Sequence, residues 1–287
     1  MKNNVRSSRL AFSLIELSIV VLIIGILIAG VTQGSRLVRQ AKLKTAQSLT
    51  QNSSVASISG LQLWMETTMD KSFDRQGGTI DDQTLISSWN DINPQLTSKI
   101  ATQATDDNQP TYLANGINGL PSLRFYGLPT VAGFASFDYL DLGNIKLSPS
   151  NSISIFVVYR LNNTGNNYFI GHLSGWGQWR MSDASFQSSK GSYSGLAVST
   201  NVTYIQSLVA SDLQVTIYRN SQLIGSSVLT SGVYLESTNV WIGGTENGGY
   251  YSVDGMVGEI IVFDRKLKDS ERVDVEQYLA KKWGVVF

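Results

Sequence analysis

Residues 12–31, FSLIELSIVVLIIGILIAGV, form a run of 20 residues dominated by Leu, Ile and Val. At 1.5 Å per residue a helix of this length covers about 30 Å, the thickness of a bilayer's hydrocarbon core. Gly25 and Gly30 are compatible with a membrane helix. Glu16 is the one residue out of pattern, four residues into the run. A carboxylate in hydrocarbon costs several kcal/mol, so its presence there implies a function and a partner. Residues 12–31 are thus committed to an apolar helix, and a water-facing domain must be sought outside them.

The flanks of this run are basic. Lys2, Arg6 and Arg9 precede it with no acid among residues 1–11, and Arg36, Arg39, Lys42 and Lys44 follow it. Bases on both sides blur the positive-inside rule, so charge alone does not orient the helix. The formal net charge is zero, from 22 basic and 22 acidic residues. Setting aside the three leading bases leaves a mildly acidic body, which gives no electrostatic footprint for nucleic acid. There are no cysteines, so disulfides, Cys-based zinc sites and thiol nucleophiles are all excluded. Any folded domain must be held by core burial alone.

Residues 35–57 contain no Gly or Pro and scatter Leu37, Val38, Ala41, Leu49 and Val55 among polar residues. This weak helical period predicts that the apolar helix continues as an amphipathic stem. From Phe12 to about Val55 such a helix would be roughly 66 Å long.

From Ile58 onward, short apolar bursts alternate with Gly, Asn, Ser and Asp. Charged residues are only 15% of the chain, a composition suited to a turn-rich β domain. Strands are predicted at 61–65, 122–126, 153–160, 168–171, 196–199, 204–210, 213–219, 240–243 and 256–263. Asn220-Ser221 reads as a hairpin turn. The run 256–263 is apolar on both faces apart from Glu259, which suggests a central strand. A closing helix is expected with Asp269 as N-cap, Val275, Tyr278, Leu279 and Trp283 on one face, and Gly284 as its stop. Residues 97–110 read as a long loop. The fold class is therefore α+β: a long N-terminal helix, an antiparallel β-sandwich of jelly-roll type, and a short C-terminal helix.

The stretch AFSLIELSIVVLIIGILIAG, residues 11–30, resembles the processing and methylation signature of type IV prepilins and type II secretion pseudopilins. Phe12, Leu14, Ile15 and Glu16 fit that pattern position by position; Ala11 stands where Gly is usual. The resemblance implies a leader at 1–11, cut between Ala11 and Phe12 by a membrane prepilin peptidase that also methylates the Phe12 amine. It implies a pilin helix at 12–57, with 12–31 in the inner membrane and 32–57 as the stem. Glu16 would pair with the Phe12 amine of a neighbouring subunit, so that two charges costly in lipid neutralise each other on assembly. The competing reading, a secretory signal peptide, requires a cut after the apolar core, and Ile28-Ala29-Gly30 is a poor site for it. Arg36, Arg39, Lys42 and Lys44 are then either a solvated face or a surface packed against acids of neighbouring subunits.

Residues 58–287 resemble the laminin-G-like, concanavalin-A-like jelly rolls of bacterial surface proteins. The carrying residues are Gly60 to Trp64, Trp89-Asn90-Asp91, Gln109 to Tyr112, Gly119, Arg124-Phe125, Gly127 and, best of all, 255–284. That fold hosts glycan binders, peptide binders, glycosidases and spacers. Jelly-roll endoglucanases align E-x-D-x-E on one strand; no such run is present, and Asp274 and Glu276 fall on the closing helix, where solvent is the expected neighbour. His172 is the single histidine and reads as structural or solvated. No catalysis is expected. Aromatic residues in Gly-rich stretches, Trp176 with Trp179 and Tyr250 with Tyr251, are the candidates for stacking on a sugar; the alternative is that they cover the core edge. Asp138 with Asp141, or Asp106 with Asp107, are weak candidates for Ca²⁺; ordinary turn carboxylates are the simpler reading, and no other cofactor is expected.

Two functions stay open. One is a pilus or pseudopilus subunit whose head decorates the filament. The other is a minor pilin whose head is an adhesin for a glycan or surface protein. A glycosidase is a distant third. Both leading readings place the head outside the cytoplasm, on the inner membrane before assembly and on the filament afterwards. A head of about 230 residues is bulky for a subunit repeated at every position, which favours the minor pilin.

Overall fold

The computed structural model describes residues 13–73, 80–127, 137–145, 152–165, 167–172, 179–188, 191–194, 198–211, 213–229, 238–244 and 252–287. The chain divides into two compact units, one ending at Lys42 and the other running from Leu43 to Phe287.

Helix α1 spans Leu14–Gln51, about 57 Å at 1.5 Å per residue. It stops short of the expected end near Val55, which instead lies in a single 3₁₀ turn, Ser54–Ser57. The unit boundary also differs from the expected start of the head at Ile58. Residues 43–51 pack as part of the head because Ala46 and Thr50 are buried there and Gln47 donates its side-chain amide to the Thr68 carbonyl at 2.8 Å.

The strands are β1 (Leu61–Glu66), β2 (Ser88–Asn90), β3 (Ile100–Thr102), β4 (Thr111–Leu113), β5 (Ser122–Phe125), β6 (Leu140–Ile145), β7 (Ser152–Leu161) and β8 (Tyr168–His172). They continue as β9 (Trp179–Ser182), β10 (Ser185–Ser188), β11 (Gly191–Ser194), β12 (Thr203–Ser211), β13 (Gln214–Arg219), β14 (Gln222–Val228), β15 (Thr238–Ile242) and β16 (Gly255–Phe263). Among the described residues they form two eight-stranded antiparallel sheets. The first runs β14-β13-β12-β7-β16-β5-β4, and the second β11-β10-β9-β8-β15-β6-β3-β2. β16 carries β7 along one edge. Its other edge is shared end to end by β5, at Gly255–Val257, and β1, at Glu259–Phe263.

The composition of β7 and β16 follows from burial on both faces. Ile153, Ile155, Val157 and Tyr159 of β7, with Val257, Ile260 and Val262 of β16, enter the core between the sheets. Phe156 and Val158, with Ile261 and Phe263, point the other way, into a second core. Helix α2 (Asp269–Trp283) closes that second core with Val275, Tyr278, Leu279 and Trp283, joined by Ala46, Val55 and Ile58. The helix face predicted from sequence is the one that docks. Gly258 makes room for it: a Cβ there would lie 2.5 Å from the Trp283 ring.

Other boundaries shift for local reasons. Asp269 is the first helical residue of α2 and Lys268 precedes it. The Glu271 carboxylate accepts the Lys268 backbone N–H at 2.8 Å, filling one of the donors a helix start leaves unpaired. Gly284 ends α2 in the left-handed region, φ 64°, where glycine carries no Cβ penalty. The expected loop at 97–110 contains β3. Of the expected strand at 196–199, residues 196 and 197 lie outside the described residues, and 198–199 are not strand. Asn220 and Ser221 both have positive φ, the geometry of a tight hairpin turn between β13 and β14.

Candidate functional site

Three places carry chemistry worth weighing: the apolar stretch of α1, a charged cluster inside the second core, and one loop-bearing edge of the sandwich.

Ala11 and Phe12 lie outside the described residues. Glu16 sits in the first turn of α1, exposed, and accepts the Ser13 backbone N–H at 3.0 Å. From Ser13 to Ser35 it is the single charged residue. Every side chain from Leu14 to Val31 is exposed, and α1 is long and apolar enough to cross a membrane. An uninterrupted, uncovered apolar surface of this length needs lipid or other helices around it.

The charged cluster lies under α2. Lys282, Glu66 and Glu259 are each fully buried. The Lys282 ammonium is 2.8 Å from Glu66 Oε2 and 2.9 Å from Glu259 Oε2. Glu66 also accepts the Thr68 hydroxyl and backbone N–H, the Ser72 hydroxyl and the Met69 backbone N–H. Glu259 accepts the Trp64 and Trp283 indole N–H groups at 2.7 and 2.8 Å and the Tyr278 hydroxyl at 2.7 Å. Burial alone would raise the Glu66 carboxyl; the Lys282 ammonium and the hydroxyls of Ser72 and Thr68 outweigh it and hold the group below its ordinary value. For Lys282, burial pulls downward, and the two carboxylates overcome it and raise the ammonium above its usual range. Burial and the two carboxylates push the Tyr278 phenol well up, so it stays a donor. Thr50 of α1 completes the chain, 3.1 Å from the Tyr278 hydroxyl. Two carboxylates so near each other invite comparison with a glycosidase pair, but both are sealed from solvent and committed to fixed donors.

Glu276 corrects an expectation in the same region. It is fully buried, accepting Ser207 and Ser221 hydroxyls, each at 2.7 Å, and the Arg272 guanidinium at 2.6 Å. Arg272 in turn lies 3.8 Å from the centroid of the Tyr218 ring. Asp274 is exposed as expected. A cleft of about 250 Å³ opens between Thr50, Trp64, Met69, Lys71 and Ile92, but its one cation is engaged, Lys71 donating to the Ile92 carbonyl at 3.1 Å.

At the sandwich edge the expected aromatic cluster is revised. Trp176, Tyr250 and Tyr251 lie outside the described residues. Trp179 is 1% exposed and belongs to the core between the sheets. The pairing of β8 with β9, His172 opposite Trp179, carries its ring inward, so it cannot stack on a ligand. His172 is buried, with Nδ1 2.9 Å from the Asn239 carbonyl oxygen and its ring stacked beside Trp241. It is structural.

Among the described residues at this edge, Tyr126, which sequence reasoning passed over, offers an exposed ring. It is 46% exposed and follows β5 directly. The Arg124 guanidinium lies 4.2 Å from its ring centroid and is itself fixed by the Asp254 carboxylate and the Phe125 and Gly255 carbonyls. Asn163 donates to the other Asp254 oxygen at 3.1 Å. Behind the ring, Asp138 is 3% exposed, and its Oδ2 accepts the Tyr126 backbone N–H at 2.8 Å. Burial pushes the Asp138 carboxyl up to about 7 against the pull of that hydrogen bond and of Arg124. Phe137 and Tyr139, on either side of Asp138, stack at 5.9 Å and are partly exposed. The available signal was the alternation Arg124-x-Tyr126, which puts a cation and a ring on one side of a strand end.

The two weak calcium candidates at this edge, Asp138 and Asp141, each accept a backbone N–H, Asp138 from Tyr126 as above. Asp141 Oδ1 accepts the Gly143 N–H at 2.7 Å, an Asx-type turn. Asp106 and Asp107 form part of a 3₁₀ turn, Asp106–Asn108. Among the described residues no three His, Cys, Asp or Glu gather as a metal ion would require.

Comparison with known proteins agrees with the sandwich. A family model described as the concanavalin A-like lectin/glucanases superfamily, of laminin G type, matches residues 144–271. A mutant of Trypanosoma rangeli sialidase displaying trans-sialidase activity aligns with 87% of this chain and 39% of its own, at 12% identity and a TM-score of 0.50. Trypanosoma rangeli sialidase in complex with sialic acid aligns with 78% of this chain at 14% identity and a TM-score of 0.45, and this chain spans only 33% of it. Domain 4 of AbnA, a GH43 extracellular arabinanase from Geobacillus stearothermophilus, was solved with arabinotriose. It aligns over its whole length with 69% of this chain, at 13% identity and a TM-score of 0.45. Identities this low carry nothing about function. No curated protein matches the chain.

Proposed function

We propose that this chain is a pilin-like filament subunit, of the minor kind, whose concanavalin-A-like head is displayed outside the cytoplasm to bind a glycan. The observation that carries the reading is α1: a helix with an uncovered apolar stretch from Leu14 to Val31 whose single charge, Glu16, stands at its start. A lone carboxylate there is costly in lipid and is relieved when a neighbouring subunit supplies a cation. The amine of Phe12, freed by cleavage after Ala11, is that cation. Assembly then neutralises two charges together, and a subunit that has not been cut lacks the partner.

The head binds and does not catalyse. Glu66 and Glu259 are fully buried and salt-bridged, and the exposed edge presents a ring rather than a pair of free acids. Tyr126, braced by Arg124, gives a flat face for the apolar side of a sugar, and the polar groups of Asn163 and Asp254 lie beside it. No metal is needed: Asp138 and Asp141 spend their carboxylates on backbone N–H groups.

Mass spectrometry of the mature protein tests the reading at its base. An N-terminal, N-methylated Phe12 is expected; an N-terminus near residue 30 would overturn it. Glu16→Ala should leave insertion and cleavage intact and reduce incorporation into filaments. Tyr126→Ala should weaken binding on a glycan array without lowering the melting temperature. A wild-type head that binds nothing on a broad array returns the protein to the purely structural reading, in a pilus or a secretion pseudopilus.

A further inference from the structure

Beyond Glu16 the chain holds no acidic residue until Glu66. Within that acid-free span three bases of α1, Arg36, Arg39 and Lys42, recur every third residue. On a helix each three-residue step turns the side chain by about 60°, so the three lie within an arc of about 120°. All three are exposed. None makes a salt bridge or hydrogen bond among the described residues.

Their height along α1 gives the partner. The apolar stretch ends at Val31 and is followed by Thr32, Gln33, Gly34 and Ser35, all uncharged. Arg36 then stands about 7.5 Å beyond Val31, and Lys42 about 16.5 Å. A bilayer's headgroup layer extends about 5–7 Å beyond the hydrocarbon on each side. Arg36 thus stands at the outer edge of that layer, with its guanidinium in reach of the phosphates. Arg39 reaches that depth on its long apolar stem, and Lys42 lies within about one further Debye length. A basic segment continuous with a spanning helix, carrying no compensating acid, is the arrangement that binds anionic headgroups.

We infer that Arg36, Arg39 and Lys42 form a collar that seats the unassembled subunit on the anionic lipids of the leaflet where α1 emerges. The inference rests on the membrane reading of α1. It adds a lipid-dependent step: the collar must leave its headgroups when the subunit is drawn into a filament.

A vesicle competition tests the collar apart from the membrane anchor. The full chain, in detergent at low salt, is diluted into an equal mixture of phosphatidylcholine vesicles and vesicles containing about 30% phosphatidylglycerol, an anionic fraction like that of a charged leaflet. The two populations are then parted by density. Each cation near an anionic surface contributes about a five-fold preference, so a bias of at least about ten-fold to the anionic vesicles is expected. It should collapse toward even partition in R36Q/R39Q/K42Q and in high salt. Even partition of the unaltered chain overturns the collar while leaving the membrane reading intact. A bias that survives the triple substitution also overturns it and assigns the preference to the remaining bases, Lys44 or Lys2, Arg6 and Arg9. Flotation with neither population sinks the membrane reading itself. Salt-sensitive self-association without lipid preference, lost in the triple variant, replaces headgroups with acids of neighbouring subunits.

Discussion

Lys282→Met tests the inner layer of the head most sharply. In the intact protein one buried ammonium balances two buried carboxylates, at 2.8 and 2.9 Å. Methionine fills nearly the same volume, so cavity formation adds little. What remains is a pair of carboxylates without their cation. Removing one partner of a buried ion pair costs about 3–5 kcal/mol. Glu259→Gln is the control. It leaves Glu66 and Lys282 as a neutral pair, though the new amide NH₂ must face groups that donate to Glu259, and should cost about 1.5–3 kcal/mol, the net worth of a hydrogen bond to a charged group. In a head of this size 1 kcal/mol shifts the melting temperature by about 2–4 °C, so Lys282→Met should lower it by roughly 6–20 °C. Glu259→Gln should lower it less, and the double variant should be less destabilised than the sum of the two. Tryptophan emission of the full chain in detergent is a suitable assay, because Trp64 and Trp283 donate their indole N–H groups to Glu259. The linked pH behaviour follows from the shifts. The lowered Glu66 carboxyl contributes stability that is lost as pH falls through its folded value, below the usual carboxylate range. The raised Lys282 contributes stability that is lost only as pH rises through its own elevated value; neutral pH lies on the plateau between. A Lys282→Met variant that melts with Glu259→Gln, or unchanged, would refute the electrostatic account.

Three further outcomes follow from the geometry. Trp179→Ala should cost about 3–5 kcal/mol as lost core packing, read by thermal unfolding; a loss of ligand binding with unchanged stability would restore its place at the surface. Asp138, pushed up to about 7, holds its proton in the folded head at pH values where the unfolded chain has released it. The stability it confers is therefore present at low pH and declines as pH rises toward 7. Asp138→Asn keeps an acceptor for the Tyr126 N–H, and its melting temperature should gain on the parent between about pH 4 and 7 and hold level above that; a constant gap would contradict the shift. Gly243 and Gly143 both have positive φ, but a Cβ on Gly243 would lie 2.2 Å from the Phe125 ring, whereas Gly143 faces open space. Gly143→Ala should cost about 1–2 kcal/mol of backbone strain and Gly243→Ala measurably more; equal melting temperatures would count against the contact.

The parts of the fold that were legible in the sequence are those where burial leaves a period. β7 and β16 are apolar on both faces because a sheet covers one face and α2 the other, and they read as central strands. α2 was legible from its docking face and from Gly284. β2, β3 and β4 are three residues each, too short to show alternation, and β3 hid inside an expected loop. Glu276 was misjudged because a charged residue in a polar helix looks solvated; its partners, Ser207 of β12 and Ser221 of the β13–β14 turn, lie 69 and 55 residues away in sequence, beyond any local pattern. Trp179 misled for the opposite reason. Its glycine-rich neighbourhood suggested a loop, while strand pairing with β8 decided its direction. Tyr126 was missed because a single ring at a strand end becomes a surface only once Arg124 and Asp254 are brought beneath it.

The shared edge of β16 has a consequence for how the head comes to exist. β1 joins it at Leu61 opposite Phe263, and β7 joins it at Ser154 opposite the same residue. The strand that binds these partners together is thus made about 200 residues after the first of them. Pairings of such long sequence separation form slowly, since loop closure must precede any gain in contacts. While the chain is being synthesised, β1 and β7 remain exposed strands without their common neighbour. That delay leaves the incomplete chain with unpaired strand edges, the state most open to aggregation. It also makes β16 the strand that completes the sheet: β1, β5 and β7 gain their common neighbour only when residues 255–263 are present.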